Sequence, residues 1–104
     1  MTRKGFGLDD VQNIEGEAES EQEYFLSLQR AINSGHAWSM QGSMGRAMMG
    51  AIDAGKCMLG QNGCRDYWKN YIPSRDEVQA GSKGSRQFVV ENSGEEWAAA
   101  MEAA

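Results

Sequence analysis

The chain is short of branched and large aliphatic side chains. Leu, Ile, Val and Phe together supply fifteen of its 104 residues, under the ~20% mark below which disorder competes with folding. It has one proline, Pro73, one histidine, His36, and two cysteines, Cys57 and Cys64. No apolar run approaches the ~20 residues that span a bilayer, and residues 1–20 lack the apolar centre of a secretory signal. These absences argue against an integral membrane protein and against Sec-type export, so a soluble cytoplasmic domain is expected. Seven Met, three Trp and three Tyr stand in for the missing aliphatics. The core is therefore expected to be built from sulfur and aromatic rings, and the length suits one domain that buries roughly two-thirds of its unfolded surface.

The net charge of −5 conceals a segregated pattern. Residues 8–29 carry Asp9, Asp10, Glu15, Glu17, Glu19, Glu21 and Glu23 with no basic partner, whereas residues 30–90 hold an excess of Lys and Arg. The last stretch is acidic again, through Glu91, Glu95, Glu96 and Glu102. Residues 1–8 read as a flexible terminus and residues 9–104 as a single α+β domain, with an acidic wing over 9–23. The wing is the solvated face of a first helix, a cover folded back over the basic middle, or a row of carboxylates imitating phosphates.

Hydrophobic periodicity places the elements. Ser20 with Glu23 forms a capping box, after which Phe25, Leu28 and Ile32 recur at helical spacing until Gly35. A shorter helical turn through Val11 and Ile14 precedes it. A second helix runs from Ser39 or Ser43 to Ala54, with Met40, Met44, Met48 and Ile52 along one row and Ser43, Ala47 and Ala51 beside it. Its glycines, Gly42, Gly45 and Gly50, predict close backbone approach to the first helix or to a twin in a homodimer. Lys56–Leu59 reads as a short extended run. Val78 and Phe88-Val89-Val90 flank a Gly/Ser tip and predict a β-hairpin. A last helix, Gly94–Ala104, is capped by Asn92 or Ser93 and buries Trp97 and Met101. The predicted architecture is α+β: a helical hairpin, a small antiparallel sheet or β-hairpin, and a C-terminal helix.

Reactive groups are sparse. A nucleophile needs a base in reach and usually a third group to orient it, and a lone His36 beside scattered Ser and Cys supplies no such set. No catalytic residue is expected. Cys57 and Cys64 are too widely spaced for the tight turn that aims two thiolates at one zinc, even with His36 and Asp66 available. Two free, buried thiols are expected, with no metal and no cofactor. Ser43, Gly45 and Arg46 contain the parts of an anion site at a helix start, although close helix packing explains the glycines equally well. The segment 65–75 interleaves basic side chains and rings: Arg65, Tyr67, Trp68, Lys69, Tyr71 and Arg75. Such a segment suits base stacking with phosphate contacts or a protein-binding hot spot. The shortage of aliphatics, however, favours placing Trp68 and Tyr71 in the core.

The runs Gly35-His36-Ala37-Trp38, Gly42-Ser43-Met44-Gly45-Arg46-Ala47-Met48-Met49 and Ala51-Ile52-Asp53-Ala54-Gly55, together with residues 65–75, resemble small uncharacterised proteins of tailed bacteriophages, those of actinobacteria in particular. The resemblance covers residues 28–90 and brings no catalytic residues with it. It implies a small non-structural phage product in the bacterial cytoplasm that binds and modulates a host protein. Binding of nucleic acid or a nucleotide by the basic, aromatic middle is the alternative, and neither reading involves a membrane.

Overall fold

The computed structural model describes residues 6–39 and 42–104. Residues 1–5 of the expected flexible terminus, and Met40 of the methionine row, lie outside them. Within the described part of that terminus, Phe6 packs against the core and α1 (Leu8–Gln12) begins directly after Gly7. A short helical continuation, Asn13–Glu17, kinked at Gly16 (φ +122), carries the chain on to α2 (Glu21–Ser34).

The α2 helix forms as its sequence signals predict. The Ser20 hydroxyl accepts a hydrogen bond from the Glu23 amide at 3.1 Å, while the Glu23 carboxylate accepts from the Glu19 amide rather than from Ser20. At the other end Gly35 takes φ +72, a left-handed conformation that a side chain would resist. Leu28, Ala31 and Ile32 are buried, and so are the polar Ser27 and Gln29. Gln29 meets the irregular strap Cys57-Met58-Leu59. Its side-chain amide donates to the Met58 carbonyl at 2.8 Å and accepts from the Met58 amide at 2.8 Å. The strap thus finds from a glutamine the pair of bonds that a neighbouring strand would otherwise supply.

The acidic wing lies mostly in solvent, with one exception. Asp10 is fully buried, 2.7 Å from the Arg30 guanidinium, and accepts from Ser27 at 2.8 Å and from the Gly7 amide at 3.1 Å. Burial pushes its carboxyl up, but the hydrogen bonds from Arg30, Ser27 and Gly7 and the Arg30 charge outweigh this and hold it below the usual range. This cluster ties α1 to α2.

The second long helix, α3 (Ser43–Asp53), packs against α2 and completes the expected helical pair. Met48, Ala51 and Ile52 face the core, with Met44 and Ala47 half-buried beside them. Ala51 is therefore consumed within the chain, not offered to a twin. The expected close approach at its glycines is absent: a Cβ on Gly45 or Gly50 would meet nothing within 4 Å.

The only sheet among the described residues is the antiparallel pair β1 (Cys64–Arg65) and β2 (Tyr71–Ile72), in register Cys64 to Ile72 and Arg65 to Tyr71. The predicted strand over Phe88–Val90 is instead part of α4 (Arg86–Ser93). Ser85 caps this helix by accepting from the Phe88 amide at 3.1 Å, and Asn92 and Gln87 add bonds one turn away to Phe88 and Glu91. Burial of Val89 against α5 (Glu95–Ala103) then overrides the β-branched preference. Gly94, at φ +94, joins the two helices, and Arg86 bridges them through Glu95 at 2.6 Å and Glu102 at 3.1 Å. Met101 is buried as expected. Trp97 is only half-buried, donating from its indole to the Lys56 carbonyl at 2.8 Å beneath the Lys56 ammonium. The fold class is α+β, weighted strongly to helix.

Candidate functional site

The β1–β2 hairpin closes through a three-residue loop, Tyr67-Trp68-Lys69. Asp66 organises that loop. Its carboxylate Oδ1 accepts from the amides of Trp68 and Asn70, each at 2.9 Å. Its backbone carbonyl accepts from the Lys69 amide, and its backbone amide donates to Asn70, each at 3.0 Å. Lys69 takes φ +69, the left-handed residue that closes such a loop. The Tyr67 amide donates to the Trp38 carbonyl at 2.9 Å and anchors the tip to the 3-10 turn His36–Ser39. Two rings consequently have no room inside. Trp68 is 73% exposed and Tyr67 44%, packed edge to face with centroids 4.8 Å apart.

The expectation that Trp68 and Tyr71 are core is thus overturned. The apolar interior is closed by Met48, Met58 and Met101 together with short aliphatics and alanines, leaving the hairpin rings outside. Tyr71 is 51% exposed; its ring covers Gly63, where a Cβ would collide with it. The Tyr71 hydroxyl donates to the Glu77 carboxylate at 2.7 Å, a bond that raises the phenol's pKa. Arg65 lies over that ring, 5.5 Å from its centroid, and donates to the Lys69 carbonyl at 3.2 Å.

Beneath the tip is a cleft of about 350 Å³ between the hairpin and the start of α3. Trp38, itself buried, lies along it, with Gly45, Arg46 and Met49 on the helical side and Asp66, Tyr67 and Trp68 on the hairpin side. Two segments singled out separately in the sequence therefore share one cavity. Gly45 and Arg46 of the anion candidate face Tyr67 and Trp68 of the aromatic candidate. Ser43 is exposed at the first turn of α3 and does not line the cleft. Arg75 does not belong to the surface at all. It is buried, donating from Nε to the Leu59 carbonyl at 2.7 Å and from a terminal nitrogen to Asn33 at 3.2 Å. Met49, 45% exposed on the rim, was missed; only the sequel to its buried neighbour Met48 hinted at it.

Both thiols are free, but only Cys57 is buried; Cys64 is half-buried on β1. Burial pushes the Cys57 thiol far up, and it donates to the Phe25 carbonyl at 3.3 Å. Burial and the charge of Asp66 raise Cys64 as well, so neither is poised as a thiolate. No cluster of three metal-ligating side chains occurs among the described residues, and the His36 side chain lies outside them. No helix among the described residues is long and apolar enough to cross a membrane. No protein-family model, curated protein or solved structure matches the chain.

Proposed function

We propose that this chain is a small phage-encoded binding protein that engages a host protein in the bacterial cytoplasm through the hairpin tip and the cleft beneath it. The observation that carries this reading is Trp68, a large ring held in solvent by a loop whose backbone is pinned on both sides. Folding gains little from a ring so exposed, whereas a partner gains a large anchor on a backbone already held in place. Exposed large apolar residues also concentrate here: Met49, Tyr67, Trp68 and Tyr71 all lie on the hairpin or the cleft rim. The phage origin rests on the sequence resemblance alone. In this reading the protein acts by recognition rather than by catalysis.

The test is capture from host lysate by tagged wild-type and Trp68→Ala chains, each with and without nuclease, followed by mass spectrometry. A specific protein is expected with the wild type, unaffected by nuclease and reduced at least ~10-fold by the substitution. Capture that ignores Trp68, or that vanishes with nuclease, would overturn the reading.

Nucleic-acid binding is the second reading, favoured by Arg65 and Lys69 beside the exposed indole. The chain's net charge of −5 opposes it by repelling a polyanion at long range. A low-salt mobility-shift titration with oligothymidylate is expected to remain flat.

A further inference from the structure

We infer that Asn62 is a self-modifying site, where the backbone nitrogen of Gly63 displaces the side-chain amide and leaves aspartate and isoaspartate. The site is independent of the partner-binding reading above. It lies in the loop Gly60-Gln61-Asn62-Gly63, between the buried strap and β1. Gln61, Asn62 and Gly63 are all exposed, and the chain bends there without the hydrogen bond that closes a turn. Among the described residues nothing bonds to the Asn62 side chain or to the Gly63 amide. Both reacting groups are thus in water and uncommitted. The step needs only solvent. Hydroxide removes the Gly63 amide proton, and the nitrogen attacks the Asn62 Cγ. An N–Cγ bond forms, the Cγ–Nδ2 bond breaks, and the leaving nitrogen departs as ammonia, taking a proton from water and restoring the hydroxide. The cyclic succinimide then takes up one water. Opening at Cγ gives aspartate; opening at the main-chain carbonyl gives isoaspartate. The net exchange is one water for one ammonia, with no change in oxidation state.

Glycine matters because a Cβ on the attacking residue would crowd the ring closure, and a glycine backbone reaches conformations closed to other residues. Tyr71 explains why glycine stands here: its ring covers Gly63, and a Cβ would collide with that ring and its hydroxyl. The fold therefore requires the residue that makes its neighbour labile. The other asparagines are placed differently. Asn13 donates to the Ser27 hydroxyl at 3.0 Å, Asn33 to the Ala104 carbonyl at 3.1 Å and Asn92 to the Phe88 carbonyl at 2.8 Å, each in a helical segment. Asn70 is exposed, but its attacking nitrogen would belong to Tyr71, which carries a side chain. Conversion makes the net charge of −5 one unit more negative. Isoaspartate also lengthens the main chain by a methylene just ahead of the residue that Tyr71 covers.

The experiment ages the purified full chain at mildly alkaline pH, native and in urea, and maps its peptides by mass spectrometry. The native chain is expected to accumulate a more acidic species on isoelectric focusing, with aspartate and isoaspartate both recovered in place of Asn62. The native rate should lie within ~10-fold of the rate in urea, because a loop without hydrogen bonds costs little to open. Asn13, Asn33 and Asn92 should remain intact in the native chain. Asn62→Ser removes no contact, should keep the fold by circular dichroism, and should abolish the acidic species. A native chain that retains Asn62 while the chain in urea converts it would overturn the inference, because the loop would then hold the amide out of reach. Faster conversion at Asn70, or aspartate without isoaspartate, would overturn it as well.

Discussion

Around α2 the polar side chains are turned inward and matched. Gln29 holds the Met58 backbone at both ends, Asp10 is met by Arg30, Ser27 and Gly7, and Arg75 secures Leu59. No buried side-chain nitrogen or oxygen among the described residues lacks a hydrogen-bond partner. Around the hairpin the side chains are turned outward: Tyr67, Trp68 and Met49 are exposed along a cleft that Arg46 and Asp66 also line. The backbone of that hairpin is nonetheless held, by the β1–β2 pairing and by the Asp66 bonds to Trp68, Lys69 and Asn70. The difference teaches where selection for folding ends. Within α2 and the strap, a polar residue is explained by what it satisfies inside the molecule. On the hairpin, the scaffold accounts for Asp66 and leaves Trp68 and Arg46 without an internal role.

Substitutions should separate the two regions. The largest effect is expected at Gln29→Leu, which leaves the Met58 amide and carbonyl buried without partners. A loss of about 4 kcal/mol is expected by denaturant unfolding. Next is Asp10→Ala, which strands the largely buried Arg30 guanidinium at a cost of about 3 kcal/mol. The same pair predicts the acid behaviour. Because folding lowers the Asp10 pKa, its contribution is present above the unfolded carboxylate value of about 4 and is lost as pH falls through the folded value. Unfolding titrations should show wild-type stability falling below about pH 4, with a shallower fall in Asp10→Asn. Stability independent of pH there would mean that the buried pair does not form.

Smaller effects sharpen the contrast. Gly50→Ala and Gly45→Ala each face open space in α3 and should stabilise the helix by up to ~1 kcal/mol. Only Gly45→Ala narrows the cleft, so it alone should weaken partner binding. Lys69→Gly relieves the left-handed backbone at the loop and should raise stability by a few tenths to ~1 kcal/mol in thermal melts. A destabilised Lys69→Gly would show that the loop conformation is not the one described.

Much of the helical scaffold was legible because its signals are local. The Ser20 cap, the Phe25–Leu28–Ile32 stripe and the stops at Gly35 and Gly55 are each contained within one or two turns. The errors arose where a distant contact decided the outcome. Phe88-Val89-Val90 reads as a strand until the Ser85 cap and the α5 surface are both present. The hairpin is hidden because Lys69 occupies a position where Gly or Asn announces a turn. The rule that aliphatic-poor chains bury their rings held at Trp38 and failed at Trp68, since the few aliphatics with Met48, Met58, Met101 and four alanines fill the rest of the core. The two halves of the candidate site were each visible as compositions, but nothing in either segment tells that α3 and the hairpin face one another. Nor does composition distinguish Arg75, wedged under the strap, from Arg46 on the rim.

The central claim, that the hairpin tip serves a partner and not the fold, is tested most directly by measuring Trp68→Ala twice, for thermal stability and for binding of the captured protein. The predicted result is an unfolding free energy within about 0.5 kcal/mol of wild type and a binding loss of about 2 kcal/mol or more. A chain that melts markedly earlier yet binds its partner undiminished would contradict the account.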